Sequence, residues 1–262
     1  MSLEFRGKHL EFLHDETPEI ELEGAQASGK TIVALWKELE ASKANPGMWS
    51  FITRWTEGGV NTLLRPEFER VADIHETKID WNSREKYYTL PAGCRVFAFQ
   101  LHTTEIEPTR RFGKIRGLPV SRILVDQAEE VEPDFPVELR RRLRPDIKAR
   151  MRGIEFRTQL TFLANTVKRH HWLDKQFPED NSIPTRRYYF LSLLDNAHNL
   201  PESIIRQALV DCPRTDPRFR ELILGQRPEV IDYAARQKKP FTEDMAGHLF
   251  EVAMRDARRA AR

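Results

Sequence analysis

An α/β fold built on a mostly parallel sheet is predicted by three features of this sequence. Short apolar runs alternate with helical patterns through most of the chain. A glycine-bearing loop joins the first of those runs to an amphipathic helix. From about Asn199 onward the strand signal disappears and helical patterns take over, which predicts a small helical region at that end. The residue ranges that follow are a core at 1–195 and a lid-like helical C-terminal region at 196–262.

The strands are predicted at Ile20 to Glu23, Trp49 to Thr53, Cys94 to Phe99, Arg122 to Val125, Gln159 to Ala164 and Tyr188 to Leu193. Helical spacing fills most of the gaps, at Lys30 to Ser42, Pro66 to His75, Pro136 to Leu143, Lys168 to Phe177 and Pro201 to Leu209. In the first of these, Ile32, Leu35, Trp36 and Leu39 fall on one helical face. The stretch Ile79 to Phe99 breaks the rhythm, and its Pro91-Ala92-Gly93 turn predicts an inserted antiparallel hairpin. Pro217 to Leu224 and Thr242 to Arg262 read as helices. The last of them carries Leu249, Val252 and Ala253 on one face with arginines behind, as in a solvated terminal helix or a docking tail.

The chain has 262 residues, 42 basic and 40 acidic, for a net charge of +2. A balance that even excludes a globally basic nucleic-acid binder, so any such contact must come from a local patch. No apolar run approaches the ~18 residues of a membrane span, and the first residues do not read as a signal peptide. Cys94 and Cys212 stand apart, with neither zinc spacing nor a disulfide framework, which fits a reducing cytoplasm.

Residues 24–31 read GAQASGKT. Gly24, Gly29, Lys30 and Thr31 occupy the fixed positions of a phosphate-binding loop, the Walker A pattern. Gly24 allows the turn, the loop amides of Ala25, Gln26, Ala27, Ser28 and Gly29 can face phosphate oxygens, Lys30 can reach the outer phosphates, and Thr31 can ligate Mg²⁺. The alternating run before it and the amphipathic helix after it supply the strand–loop–helix context the motif needs. A partner acid is expected at the end of an apolar strand. RILVDQAEE provides Asp126 after Ile123-Leu124-Val125, a Walker B pattern. The water-orienting glutamate of such sites would normally stand at Gln127; Glu129 and Glu130 follow, and a tight turn would bring Glu129 to the phosphates. QLTFLANT then ends a strand at Asn165-Thr166, where a polar tip can sense the outer phosphate. His170 and His171 are adjacent, so on a helix they diverge by ~100° and make a poor joint metal site. Finally Arg140, Arg141, Arg142, Arg144, Lys148, Arg150, Arg152 and Arg157 form a basic cluster suited either to DNA phosphates or to pairing with the chain's own acids.

Taken in order, these segments resemble one family, the large subunit of the phage terminase, the motor that packages viral double-stranded DNA. GAQASGKT looks like its Walker A and RILVDQAEE its Walker B. FLANTVKRHHWLDKQF looks like its coupling segment, and YYFLSLLDNAHNLPESIIRQAL the segment that follows. ITRWTEGGVNTLLRPEFERVA sits where the family has a strand, an Arg and a helix. The resemblance spans roughly residues 8 to 225. It implies a P-loop NTPase of the ASCE type that uses ATP and Mg²⁺. Residues 24–31 and Asp126 would hold nucleotide and metal, Thr31 and Asp126 on the metal itself. Lys30, Glu129 and Asn165 would be catalytic, Glu129 activating water and Asn165 coupling hydrolysis to motion.

The implied partners are double-stranded DNA, a homo-oligomeric ring on a portal, a small terminase subunit and, as one option, a separate nuclease, all in the cytoplasm of a bacterial host. Two departures stand out. The family commonly carries an Arg in the loop where Gln26 and Ala27 stand here. The transition-state charge would then be met by another arginine, worth ~10³–10⁵ in rate, from a neighbouring subunit or from Arg54, which otherwise simply ends a strand in solvent. The family's nuclease domain would start near residue 230, and Asp232, Asp244 and Asp256 alone cannot build one, so no DNA cleavage is expected from this chain. The alternatives are a nucleotide-gated binding protein with impaired hydrolysis, and another P-loop ATPase, helicase-like or a small-molecule kinase.

Overall fold

The computed structural model describes residues 3–102, 120–144, 157–167, 170–216, 218–224 and 227. Among them, eight strands form one sheet. They are β1 (Glu19–Gly24), β2 (Trp49–Arg54), β3 (Asp80–Asn82), β4 (Tyr87–Thr89), β5 (Arg95–Gln100), β6 (Arg122–Asp126), β7 (Gln159–Ala164) and β8 (Arg186–Leu191). Their order is β3-β4-β5-β2-β6-β7-β1-β8. Every pair from β5 to β8 is parallel, and β3, β4 and β5 pair antiparallel at one edge. The predicted insertion around residues 79–99 is this antiparallel edge.

The strands form where apolar residues run almost unbroken, as parallel strands covered on both faces require. All of β6 and β7 is buried. Alternate residues feed two cores. Ile20, Leu22, Leu124 and Leu163 pack beneath α1 (Lys8–His14), α2 (Lys30–Ala44) and the helix Arg65–Ile74. Ile123, Val125, Leu160 and Phe162 pack on the other face with Phe135, Leu139, Trp172 and Phe177. The buried face of α2 is wider than the predicted stripe. Val33, Ala34, Lys37 and Glu38 are inside, whereas Ile32 and Trp36 are half-buried. Lys37 is tolerated there because its ammonium donates to the Phe12 and Asp15 carbonyls, and Glu38 because it binds Arg122 at 2.9 Å.

Three predicted boundaries move. The strand read as Tyr188 to Leu193 ends at Leu191, because Ser192 starts a 3₁₀ turn over Leu193–Asn199 with a reciprocal capping box to Asp195. Ser192→Ala is expected to lower stability by about 1 kcal/mol in a urea titration, since the Asp195 amide would lose its cap. The helix read as Lys168 to Phe177 shortens to Trp172–Gln176, begun by His171, whose ring accepts from the Leu173 amide at 3.3 Å. The helix read as Pro136 to Leu143 is Phe135–Arg140. The helix α1 was not predicted at all. Beyond β8 come the helices Glu202–Asp211 and Phe219–Leu222, whose apolar residues form two small clusters of their own. The terminal helix predicted at Thr242 to Arg262 lies outside the described residues. No helix among those described is long and apolar enough to cross a membrane.

Candidate functional site

The parallel register brings the ends of five strands, β2, β6, β7, β1 and β8, to one end of the sheet. Glu23 pairs with Ala164, Gly24 with Leu191, Asp126 with Leu163 and Thr53 with Val125. The loop after β1, the acid ending β6 and Asn165 after β7 therefore meet, with β7 standing between the other two strands.

Residues 24–31 make a tight loop. Gly24 has no room for a side chain, because a Cβ there would lie 2.6 Å from the Leu191 carbonyl oxygen. The Ala25 amide donates to that same oxygen at 2.9 Å, and the Ser28 amide closes a turn on the Ala25 carbonyl at 3.2 Å. Ala27 and Gly29 both take left-handed backbone, with φ of 59° and 82°. The helix α2 then begins without a side-chain cap, so its first amides face outward as an anion site. Gln26 and Ala27 are exposed at the loop tip. A cleft of about 340 Å³ separates them from Ile204, Gln207 and Ala208.

Lys30 folds back along the loop. Its ammonium donates to the Gly24 carbonyl at 3.2 Å, the Ala25 carbonyl at 3.3 Å and Asn165 Oδ1 at 3.0 Å. Asn165 Nδ2 in turn donates to Glu129 Oε1 at 2.6 Å. The chain Lys30–Asn165–Glu129 links the loop, the end of β7 and the turn after β6. That turn exists because Gln127 adopts left-handed backbone at φ 54° and Ala128–Glu130 winds into a 3₁₀ turn, which carries Glu129 rather than Gln127 to Asn165. Burial raises the Glu129 carboxyl above its ordinary range, and burial lowers Lys30 against the pull of Glu129, Asp126 and Glu23. The second Glu129 oxygen, Oε2, is buried with no partner, as is the Ser28 hydroxyl.

Thr31 Oγ1 donates to Asp126 Oδ1 at 3.3 Å. The other oxygen of Asp126 lies 3.1 Å from Arg54 Nε, a charge contact whose N–H is not well aimed. Burial raises the Asp126 carboxyl, opposed chiefly by Arg54. Arg54 is only 5% exposed, so the reading that it ends a strand in solvent is wrong. Its aliphatic part lies against Gly59, where a Cβ would come within 3.0 Å of it. A hydroxyl and a carboxylate side by side are the hard oxygen pair that Mg²⁺ favours, the uncapped α2 amides fit a phosphate chain beside it, and the unpartnered Glu129 oxygen fits a water to which it can act as acceptor.

The basic cluster is partly spent on the protein itself. Arg140 grips Glu19 with two bonds, at 2.6 and 2.9 Å. Arg141 and Arg142 lean on Glu138, and Arg157 pairs with Glu16. Arg144 is exposed. Lys148, Arg150 and Arg152 lie outside the described residues, as do Asp232, Asp244 and Asp256. His170 and His171 belong to no metal cluster, and none is found among the described residues.

Three side chains that contact this site were not singled out from the sequence. His9 and Asn196 bond the loop from beneath. Arg227 binds Glu21 and Glu23 behind it. Asn196 had a signal, its place in the quoted LLDNAHNLPE segment; His9 and Arg227 had none.

A parallel sheet with the phosphate-loop strand and the acid-bearing strand separated by one strand is the P-loop NTPase fold of the ASCE type. Within that class, the solved structures with this fold include ATPase domains of phage large terminases. The large terminase of a thermophilic bacteriophage superposes with a TM-score of 0.69 at 15% identity, over 86% of this chain and 54% of that one. The complex of that same terminase with ATP-gamma-S gives 0.65 at 15% identity, over 85% and 53%. The ATPase domain of the Thermus phage P74-26 large terminase gives 0.57 at 12% identity, over 85% and 94%. This chain thus spans about half the length of the first of these terminases. No protein-family model and no curated protein matches the sequence.

Proposed function

We propose that this chain is the ATPase motor of a phage DNA-packaging terminase large subunit, hydrolysing ATP to move double-stranded DNA into a procapsid. The observation that carries this reading is the contiguous set Lys30–Asn165–Glu129 beside Thr31–Asp126, on a fold shared with terminase ATPase domains. A large terminase of the same fold, from a thermophilic bacteriophage, was solved with ATP-gamma-S, which supports ATP as the nucleotide here.

In this reading, the amides of Gln26, Ala27 and Gly29 and the start of α2 bind the phosphates, while the Ala25 and Ser28 amides hold the loop's shape by donating to the Leu191 and Ala25 carbonyls. Thr31 and Asp126 hold Mg²⁺, which would neutralise phosphate charge and fix its orientation. Lys30 neutralises the outer phosphates. Glu129 orients a water and takes its proton. Asn165 holds Glu129 in place and, touching Lys30 as well, registers the state of the outer phosphate for the rest of the sheet. Arg54 keeps Asp126 charged in a buried setting. The partners of the reading are double-stranded DNA, further copies of the chain in a ring on a portal, and a small terminase subunit. DNA would be gripped without base preference by exposed basic side chains such as Arg144, and binding should weaken steeply with salt.

The test is phosphate release from ATP with Mg²⁺, with and without linear duplex DNA, beside Lys30→Ala. Turnover that requires Lys30 and rises with DNA is the expected result. Turnover that needs a small acceptor and ignores DNA would overturn the motor reading in favour of another P-loop enzyme. ATP binding without turnover would move it to a nucleotide-gated binding protein.

A further inference from the structure

The phosphate loop is held from below by two side chains remote in sequence. Asn196 Nδ2 donates to the Ala27 carbonyl at 2.9 Å. His9 Nε2 meets the Ser28 carbonyl at 2.8 Å. Both residues are buried, at 5% and 1% exposure. The roles of the two ends of the Asn196 amide are set by a neighbour. Asn199 Nδ2 donates to Asn196 Oδ1 at 3.1 Å, and Asn199 is itself tied to the backbone of Glu4 by bonds of 2.8 and 3.1 Å. The Asn196 oxygen is thus an acceptor, and its NH₂ is left for the loop. Burial lowers the His9 pKa and keeps the ring neutral, so it carries one proton. Its Nδ1 is buried without a partner, which leaves Nε2 as the donor.

In a trans peptide the carbonyl of one residue and the amide of the next point in opposite directions. Fixing the Ala27 carbonyl downward turns the Ser28 amide the other way, where it closes the turn on Ala25. Fixing the Ser28 carbonyl downward turns the Gly29 amide to the concave side of the loop, ahead of α2. The Asn196 side chain also fills the space beneath Gly29, where a Cβ would meet it at 2.9 Å. Left-handed backbone at Ala27 is unfavourable for a residue with a side chain, so the loop needs such external bonds to hold this shape.

We propose that Asn196 and His9 are positioning residues that clamp the phosphate loop into its anion-binding form by holding the Ala27 and Ser28 carbonyls beneath it. The proposal rests on the nucleotide reading above and extends it. Asn196 lies on the turn that leads into the helix Glu202–Asp211, and His9 lies on α1. The clamp therefore ties the loop to both of these elements.

The test is titration of the full chain with a fluorescent ATP analogue carrying a methylanthraniloyl group, together with thermal melting without nucleotide. Asn196→Leu keeps the bulk beneath Gly29 and removes the donor to Ala27 without adding a charge beside the phosphates. It is expected to weaken binding about tenfold or more, with the nucleotide-free melting point moved by only a few degrees. His9→Phe should do the same, and His9→Gln, which restores a donor, should recover most of the affinity. Binding by Asn196→Leu and His9→Phe within about twofold of the wild type, while Lys30→Ala still abolishes it, overturns the clamp alone. Equal losses in His9→Phe and His9→Gln, with a lowered melting point in both, reduce His9 to a structural role and also overturn it. A wild-type chain whose binding ignores Lys30→Ala overturns the nucleotide reading, and the clamp with it.

Discussion

Exchange of Glu129 for glutamine is expected to lower ATP turnover by about 10²–10⁴-fold while nucleotide affinity changes little. Glutamine keeps the oxygen that accepts from Asn165 Nδ2, so the geometry of the Lys30–Asn165–Glu129 chain should survive. What is lost is the ability to take a proton from water. The adjacent Gln127→Glu exchange is expected to have little effect. Left-handed backbone at Gln127 sends the chain into the 3₁₀ turn that delivers Glu129 to Asn165, and Gln127 makes no such contact. The pH profile gives a second check. Burial raises the Glu129 carboxyl above 4.5, its ordinary value. A general base must be ionised, so activity should fall as the pH drops, beginning at a higher pH than an exposed glutamate would give. Phosphate-release assays on both variants decide the matter. A large gain from Gln127→Glu, with little loss from Glu129→Gln, would sink this assignment and mark the wild type as an impaired hydrolase.

The parts of this site that were legible in the sequence are those fixed by short-range geometry. A phosphate loop must be one continuous segment, so its glycines, lysine and threonine keep a set spacing. Asp126 announces itself because it ends an apolar strand, and Asn165 for the same reason. Glu129 required the additional step of seeing that a turn could substitute for direct adjacency. His9 and Asn196 were not legible as loop contacts, since they reach it across 19 and 169 residues of sequence. The fold divides the same way. The runs of β6 and β7 read as strands because both faces are covered. The helix α1 has only seven residues, too few to be stable alone, and is held by burying Phe12 against the rest of the core. In β1 the alternation of Ile20 and Leu22 with Glu21 and Glu23 is the pattern of a half-buried strand. Both glutamates are instead fully buried, because their counter-charge comes from Arg227, 204 to 206 residues away.

That counter-charge leads to the second large effect, loss of stability on Arg227→Ala. The Arg227 side chain is almost completely buried and forks to Glu21 Oε2 at 2.9 Å, Glu23 Oε2 at 2.7 Å and Asp174 Oδ1 at 2.9 Å. It also lies over the Tyr188 ring. One cation faces three carboxyls, and burial accordingly raises Glu21 well above its ordinary range and Glu23 to about 7. A carboxyl raised in the folded state binds its proton more tightly there than in the unfolded chain. The stability this contributes is full below the unfolded value of 4.5 and is lost as the pH rises through about 7. Taking Arg227 away leaves the pair to be buried either as two acids or as unpaired charges. At pH 5 both can be acids, and the loss is modest. At pH 8 charge must be buried without a partner or protons must be held against the solvent, and the expected loss is about 3–5 kcal/mol. Urea titrations of wild type and variant at both pH values test this, and a gap that does not widen with pH would refute it. Glu23 also accepts the Val167 amide at 3.1 Å, two residues beyond Asn165. The same network therefore joins β1, which carries the phosphate loop, to the chain just past Asn165. Arg227→Ala should accordingly reduce turnover even at pH 5, where the fold holds, because a protonated Glu23 without its arginine no longer fixes that join.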